Sequence, residues 1–121
     1  MHILSLTPDL FFSTRIESTL RQAGHTAHVV EQASRDAIAA SLSAQPADLA
    51  IIDISATWWP WAEALTLLRE TDGALPVLAF GSHVNVDATK SALALGASRV
   101  VAKSDFVRRM VTLVERYGGE H

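Results

Sequence analysis

The sequence predicts an α/β domain: a five-stranded parallel sheet of order 2-1-3-4-5 with helices on both faces. Two observations carry that expectation. Five short apolar runs alternate with five amphipathic or Ala-rich stretches along 121 residues, the pattern of repeated strand–helix units. The third run, Asp48-Leu-Ala-Ile-Ile-Asp53-Ile54, is continuously apolar from Leu49 to Ile52, as in a strand covered on both faces. Right-handed crossovers restrict the strand orders, and 2-1-3-4-5 is the common solution for five strands.

Each element has its own signal. The first strand is read at His2 to Leu6, followed by Thr7 as a helix cap, Pro8 at the first helical position and Asp9 in the first turn. Phe12, Ile16, Leu20 and Ala23 then recur at helical spacing, and Gly24 closes that helix. A second strand covers Thr26 to Val30, and Ser34 caps a helix that carries Ile38 and Leu42 and stops before Pro46. After the third strand, Trp61, Leu65 and Leu68 share one helical face. Pro76 to Phe80 forms the fourth strand, and Asn85 or Asp87 caps a helix running to Gly96. Arg99 to Ala102 is the fifth strand. Ser104 and Asp105 open the last helix, whose apolar stripe is Phe106, Met110, Leu113, Val114 and Tyr117. Residues 1–117 form the domain, and Gly118 to His121 is read as a tail.

Composition narrows the function. Hydrophobic residues at 49% fill a core. Ten Lys and Arg against thirteen Asp and Glu leave a charge of -3, which argues against a nucleic-acid partner. The absence of Cys excludes a disulfide scaffold, a thiolate metal site and a Cys nucleophile. No apolar run approaches the ~18 residues of a membrane span, and MHILSLTPDL lacks the basic and long apolar regions of a signal peptide. The expected setting is cytoplasmic, with no membrane contact.

In a doubly wound sheet of this order the chemistry sits at the carboxyl ends of the strands, where the winding reverses between the first and third strands. The residues delivered there are Thr7, Pro8, Asp9, Asp53, Gly81, Ser82 and Lys103. Asp53 and Lys103 close neighbouring strand ends. A carboxylate and an ammonium there are either a phosphoacceptor with its charge partner or a structural ion pair.

The whole chain resembles the receiver domain of two-component response regulators, the chemotaxis-type flavodoxin-like fold. The carriers are DLAIIDIS around Asp53, the strand Leu75-Pro-Val-Leu-Ala-Phe80, the segment Ala94-Leu-Gly-Ala-Ser98, and Val100-Val-Ala-Lys103. The resemblance implies that Asp53 is the aspartate that accepts phosphate from a histidine kinase, with magnesium neutralising the incoming charge and Lys103 as the conserved lysine. Other positions depart from the family's pattern. The acidic pair after the first strand falls on Thr7 and Pro8, and Asp9 is the nearest acid. The hydroxyl after the fourth strand falls on Gly81, with Ser82 beside it. The aromatic switch of the fifth strand falls on Val100, and Ser104 stands where a proline follows the lysine. The resemblance is therefore to an atypical, degenerate receiver. A phosphoryl group adds roughly 1.5 to 2 negative charges, and without a divalent cation only Lys103 and backbone donors offset them.

Three further features bear on partners. Trp58, Trp59 and Trp61 crowd the segment after Asp53. Trp61 belongs to the helix face, whereas Trp58 and Trp59 precede the helix, where exposed rings make binding hot spots or fold over Asp53. The resemblance points to the surface from Asn85 to Tyr117 as a docking or dimerisation face, with Ala88, Ala92 and Val107 as contact points. His2, His25, His28, His83 and His121 show no helical ligand pairing, so no metal site is expected. His83 falls near the mouth of the strand-end crevice. No phosphate-cradling glycine loop follows the first strand.

The leading expectation is a non-enzymatic signalling module. It would act on a protein partner or a second copy through the last two helices or the tryptophan segment, without magnesium-dependent phosphorylation and with no cofactor. Two alternatives stand beside it. One is a phosphoacceptor using Asp53, Lys103, Ser82 and Asp9 with magnesium and a histidine kinase. The other is a small-molecule binder with the segment from Trp58 to Trp61 as its lid.

Overall fold

The computed structural model describes all residues except 31, 33, 57, 83, 84, 120 and 121. The expectation for His83 and for the last two tail residues therefore lies outside the described residues. The strands are β1 (His2–Leu6), β2 (Thr26–Val30), β3 (Leu49–Asp53), β4 (Val77–Gly81) and β5 (Arg99–Ala102). The helices are α1 (Leu10–Gln22), α2 (Arg35–Ala44), α3 (Trp61–Thr71), α4 (Val86–Ala94) and α5 (Lys103–Gly119). All strand pairings are parallel, in the order β2-β1-β3-β4-β5, as the apolar runs predict.

The strand period divides the core. Ile3, Leu49, Ile51, Leu78 and Phe80 face α1 and α5, where they meet Phe12, Ile16, Phe106 and Met110. Their neighbours Leu4, Leu6, Ala50, Ile52, Val77 and Ala79 face the opposite side with Ile38, Leu65 and Leu68. Successive side chains of a strand point to opposite faces, so a central strand covered twice must be apolar throughout. All of β3 is buried, including Asp53. On the α1/α5 side, Phe80 stacks on Phe106 at 4.7 Å and meets Phe12 edge-on at 5.2 Å. Such pairs contribute about 0.5–1.5 kcal/mol beyond their burial.

Several boundaries differ from the sequence expectation: β4 is Val77–Gly81 where Pro76 to Phe80 is expected, and α4 ends at Ala94, before Gly96. The cap of α1 is Asp9, not Thr7: its carboxylate accepts from the Phe11 and Phe12 amides at 3.0 and 3.2 Å. The Thr7 hydroxyl is engaged elsewhere, and Pro8 stays outside the helix. The last helix starts at Lys103, before Ser104. It also runs through Gly118 and Gly119, so these two residues are helix and not tail. Gly118 is buried, and a Cβ there would meet Met1 Sδ at 3.0 Å and Leu49 Cβ at 3.3 Å. The missing side chain lets the end of α5 close over the start of the sheet. No helix among the described residues is long and apolar enough to cross a membrane.

Candidate functional site

Parallel pairing delivers the ends of β1, β3 and β4 side by side. Leu6 pairs with Ile52 and Asp53 pairs with Phe80, so Thr7 is the next residue beside Asp53 along the same register. The alternation of β1 and β3 turns both toward the α1/α5 side. Asp53 is only 2% exposed. Its Oδ1 accepts the Ser55 amide at 2.7 Å and the Ser55 hydroxyl at 2.6 Å. This local turn ends β3 and satisfies the buried acid from two residues downstream.

At the end of β1 the chemistry is neutral. Thr7 is fully buried, with its Oγ1 at 2.6 Å from Ser13 Oγ and 3.1 Å from Ser5 Oγ. Ser13 Oγ also donates to the Thr7 carbonyl at 3.3 Å. One donor order satisfies every hydroxyl proton: Ser5 to Thr7, Thr7 to Ser13, and Ser13 to the backbone carbonyl. Each such bond contributes about 0.5–1.5 kcal/mol net. Sequence reading singled out Thr7 but passed over Ser5, Ser13 and Ser55. Ser13 had a signal, since it stands three and seven residues before Ile16 and Leu20, on the buried face of α1.

Magnesium needs oxygen ligands, with one or two carboxylates among them. The acid nearest the first strand, Asp9, is exposed and spends its Oδ1 on the amides of α1. Asp53 has its own Oδ1 doubly occupied, and the neighbouring Thr7 belongs to the hydroxyl chain. Among the described residues no group of three or more His, Asp or Glu is placed to hold a metal. At the ends of β1 and β3 the carboxylates among the described residues are thus the buried Asp53 and the Asp9 that caps α1.

Lys103 does not meet Asp53. Its Nζ lies 4.5 Å from the centroid of the Phe12 ring, and the ion pairs among the described residues include neither Asp53 nor Lys103. The expected carboxylate–ammonium contact is replaced by a cation on an aromatic face. Gly81 ends β4 opposite Ala102, one residue before Lys103. It is buried, and a Cβ there would stand 2.7 Å from Ile54 Cγ1. Ile54 thus fills the space a side chain at residue 81 would need, and Ser82 beside it is exposed. Val100 is half-buried against the α3/α4 side of the core.

The tryptophans divide. Trp58 is 72% exposed, as a hot-spot ring is expected to be, whereas Trp59 is buried in the core. The turn turns Trp59 inward, with its amide donating to the Ala56 carbonyl and its own carbonyl accepting from the Trp61 amide. Its indole Nε1 is buried without a hydrogen-bond partner among the described residues. Trp61 packs on the α3 side of the core, as its spacing predicts. The contact points expected on the last two helices also serve the interior. Ala92 is fully buried and cannot touch a partner; Ala88 and Val107 are half-buried and pack against the two cores. The Arg108–Arg109 pair is held by Asp105 on the surface of α5.

No protein-family model matches the sequence, and no curated protein matches it. Solved structures do. The receiver domain of NtrX from Brucella abortus is similar with a TM-score of 0.82 and 20% identity, covering 98% of this chain and 99% of that one. The chain spans 27% of the longer NtrX chain crystallised in complex with ATP. Vibrio cholerae chemotaxis protein CheY4 is similar with a TM-score of 0.80 and 17% identity, over 96% of this chain and 97% of that one. The receiver domain of sensor histidine kinase PA1611 from Pseudomonas aeruginosa, with a magnesium ion coordinated in its active-site cleft, gives 0.79 and 20% over 98% of each chain. The fold is therefore the receiver fold, as the strand order and the resemblance both predict.

Proposed function

We propose that the chain is a receiver-fold signalling module that acts by protein contact, without magnesium-dependent phosphorylation of Asp53. The observation that carries this reading is the hydroxyl chain of Ser5, Thr7 and Ser13 at the end of β1. It puts neutral, mutually satisfied groups beside Asp53, the one buried carboxylate among the described residues. In the PA1611 receiver domain the cleft coordinates a magnesium ion; here the acids for such a centre are Asp53 alone and an Asp9 committed to capping α1. Phosphoryl transfer depends on positioning and charge neutralisation. An aspartyl phosphate would bring roughly 1.5 to 2 negative charges into a cleft whose lysine rests on Phe12.

In this reading the module is non-enzymatic and its output is binding. Its setting is a cytoplasmic pathway in which a partner protein reads the folded domain as it stands. The test is incubation with a small-molecule phosphodonor and magnesium, read by intact mass. The expected result is no adduct; a stoichiometric adduct lost in Asp53→Asn would replace this reading with the phosphoacceptor switch.

A further inference from the structure

The exposed large apolar side chains of the described residues are Leu10, Phe11, Trp58, Val86 and Leu93. Single exposed apolar residues are ordinary, but these are not scattered. Leu10 and Phe11 open α1, Trp58 stands in the turn after β3, and Val86 opens α4. All four follow the carboxyl ends of β1, β3 and β4, which are neighbours in the sheet. Only Leu93 lies elsewhere, at the far end of α4. Phe11 is 91% exposed and Trp58 72%, values that leave nearly a whole ring of each in water.

Exposed acidic side chains gather at the same edge. Asp9, Glu63 and Asp87 stand in or just before the first turns of α1, α3 and α4, all exposed. None of them takes part in an ion pair among the described residues. The basic residues Arg15 and Lys90 lie a turn further down α1 and α4, Lys103 is turned onto Phe12, and Asp105 already holds Arg108 and Arg109. The edge sets exposed acids next to exposed apolar side chains, Asp9 before Leu10 and Phe11 and Asp87 after Val86. A second copy would bring acid against acid, and like charges across an interface oppose association.

We propose that this edge is the docking face for a basic amphipathic helix of a partner protein, laid across the mouth of the Asp53 cleft. The proposal rests on the reading of the chain as a contact module and names the partner's chemistry. With helices about 10 Å from the sheet on each side, the edge is on the order of 20 Å across, the length of a helix of three to four turns. Its apolar stripe would meet Leu10 and Phe11 on one side of the sheet and Trp58 and Val86 on the other. Its lysines or arginines would meet Asp9, Glu63 and Asp87.

The test uses the whole chain and two helical peptides of that length, one of Leu and Lys and one with Glu in place of each Lys. Binding is followed by calorimetry without phosphodonor or magnesium, so that its outcome is separate from the phosphorylation test. The Leu–Lys peptide is expected to bind, more weakly at high salt, and the Leu–Glu peptide at least tenfold more weakly. Phe11→Ser and Trp58→Ser are each expected to weaken the Leu–Lys complex about tenfold or more, with unchanged circular dichroism. Leu93→Ser, which removes an apolar side chain outside the edge, is expected to leave it unchanged. Equal binding of both peptides, or equal losses in Leu93→Ser and Phe11→Ser, would overturn the proposal, as would Phe11-dependent self-association in sedimentation.

Discussion

At the end of β1 a threonine is fully buried, and one strand over, at the end of β3, an aspartate is 2% exposed. The two residues share a face and a level of the sheet, and each is satisfied by the protein, but in different ways. Thr7 is tied across elements, to Ser5 in β1 and to Ser13 in α1. Among the described residues Asp53 is hydrogen-bonded by Ser55, two residues on. The β1 end is a neutral clamp between sheet and helix, and the β3 end is a charged group held by a turn. A cleft built this way has one buried carboxylate among the described residues, Asp53, beside a neutral hydroxyl chain. Structural load and chemical potential have been separated onto adjacent strands.

The largest expected effect comes from making the two ends alike. Thr7→Asp breaks the hydroxyl chain and buries a second carboxylate beside Asp53, and an uncompensated buried charge costs about 3–5 kcal/mol. Burial and the neighbouring acid both raise the pKa of the new group, so the folded state binds its proton more tightly than the unfolded chain. The loss is then greatest at neutral pH and shrinks as pH falls toward the carboxylate range. Urea unfolding across pH reads this directly, and a variant as stable as the parent at neutral pH would remove the distinction between the two ends.

Next is Gly81→Ala, which forces a methyl into the space of Ile54. Overpacking of this kind costs about 1–3 kcal/mol. The cost should fall in an Ile54→Ala background, and additive losses in the double variant would mean that Ile54 does not fill the position. Ser55→Ala removes one of the two bonds on Asp53 Oδ1 and keeps the backbone one, for an expected loss of about 1 kcal/mol in denaturant unfolding. The smallest effect belongs to Lys103→Met, about 0.5 kcal/mol from the cation over Phe12. A double-mutant cycle of Lys103→Met with Asp53→Asn should show no coupling beyond about 0.3–0.5 kcal/mol; a larger coupling would put the two charges in contact.

Much of this architecture was legible in the residues. The continuous apolar run of β3 required helices on both faces, and the alternation of strands and helices led to the order β2-β1-β3-β4-β5. Asp53 and Lys103 were placed at strand ends by the same reasoning. What spacing could not resolve was which of two groups wins a local competition. Thr7 and Asp9 are both good helix caps, and Asp9 won because the Thr7 hydroxyl has buried partners six residues away. Trp59 and Ala92 looked available to partners because a loop ring and a helical alanine carry no periodic mark of burial, yet both belong to the core. Gly118 read as the start of a tail, but its lack of a side chain is what lets α5 pack over Met1 and Leu49. The rim of Leu10, Phe11 and Val86 went unread because helix-opening residues appear as cap-adjacent positions in a sequence and as one edge only in three dimensions.

The most direct measurement is a magnesium titration of the intact chain by calorimetry, with tryptophan fluorescence followed in parallel and Asp53→Asn as the reference. The expected result is the same flat response from both proteins at millimolar magnesium. Saturable binding to the parent that disappears in Asp53→Asn would show that a cation shares the cleft with this carboxylate, and would contradict the separation of charge and clamp between β3 and β1.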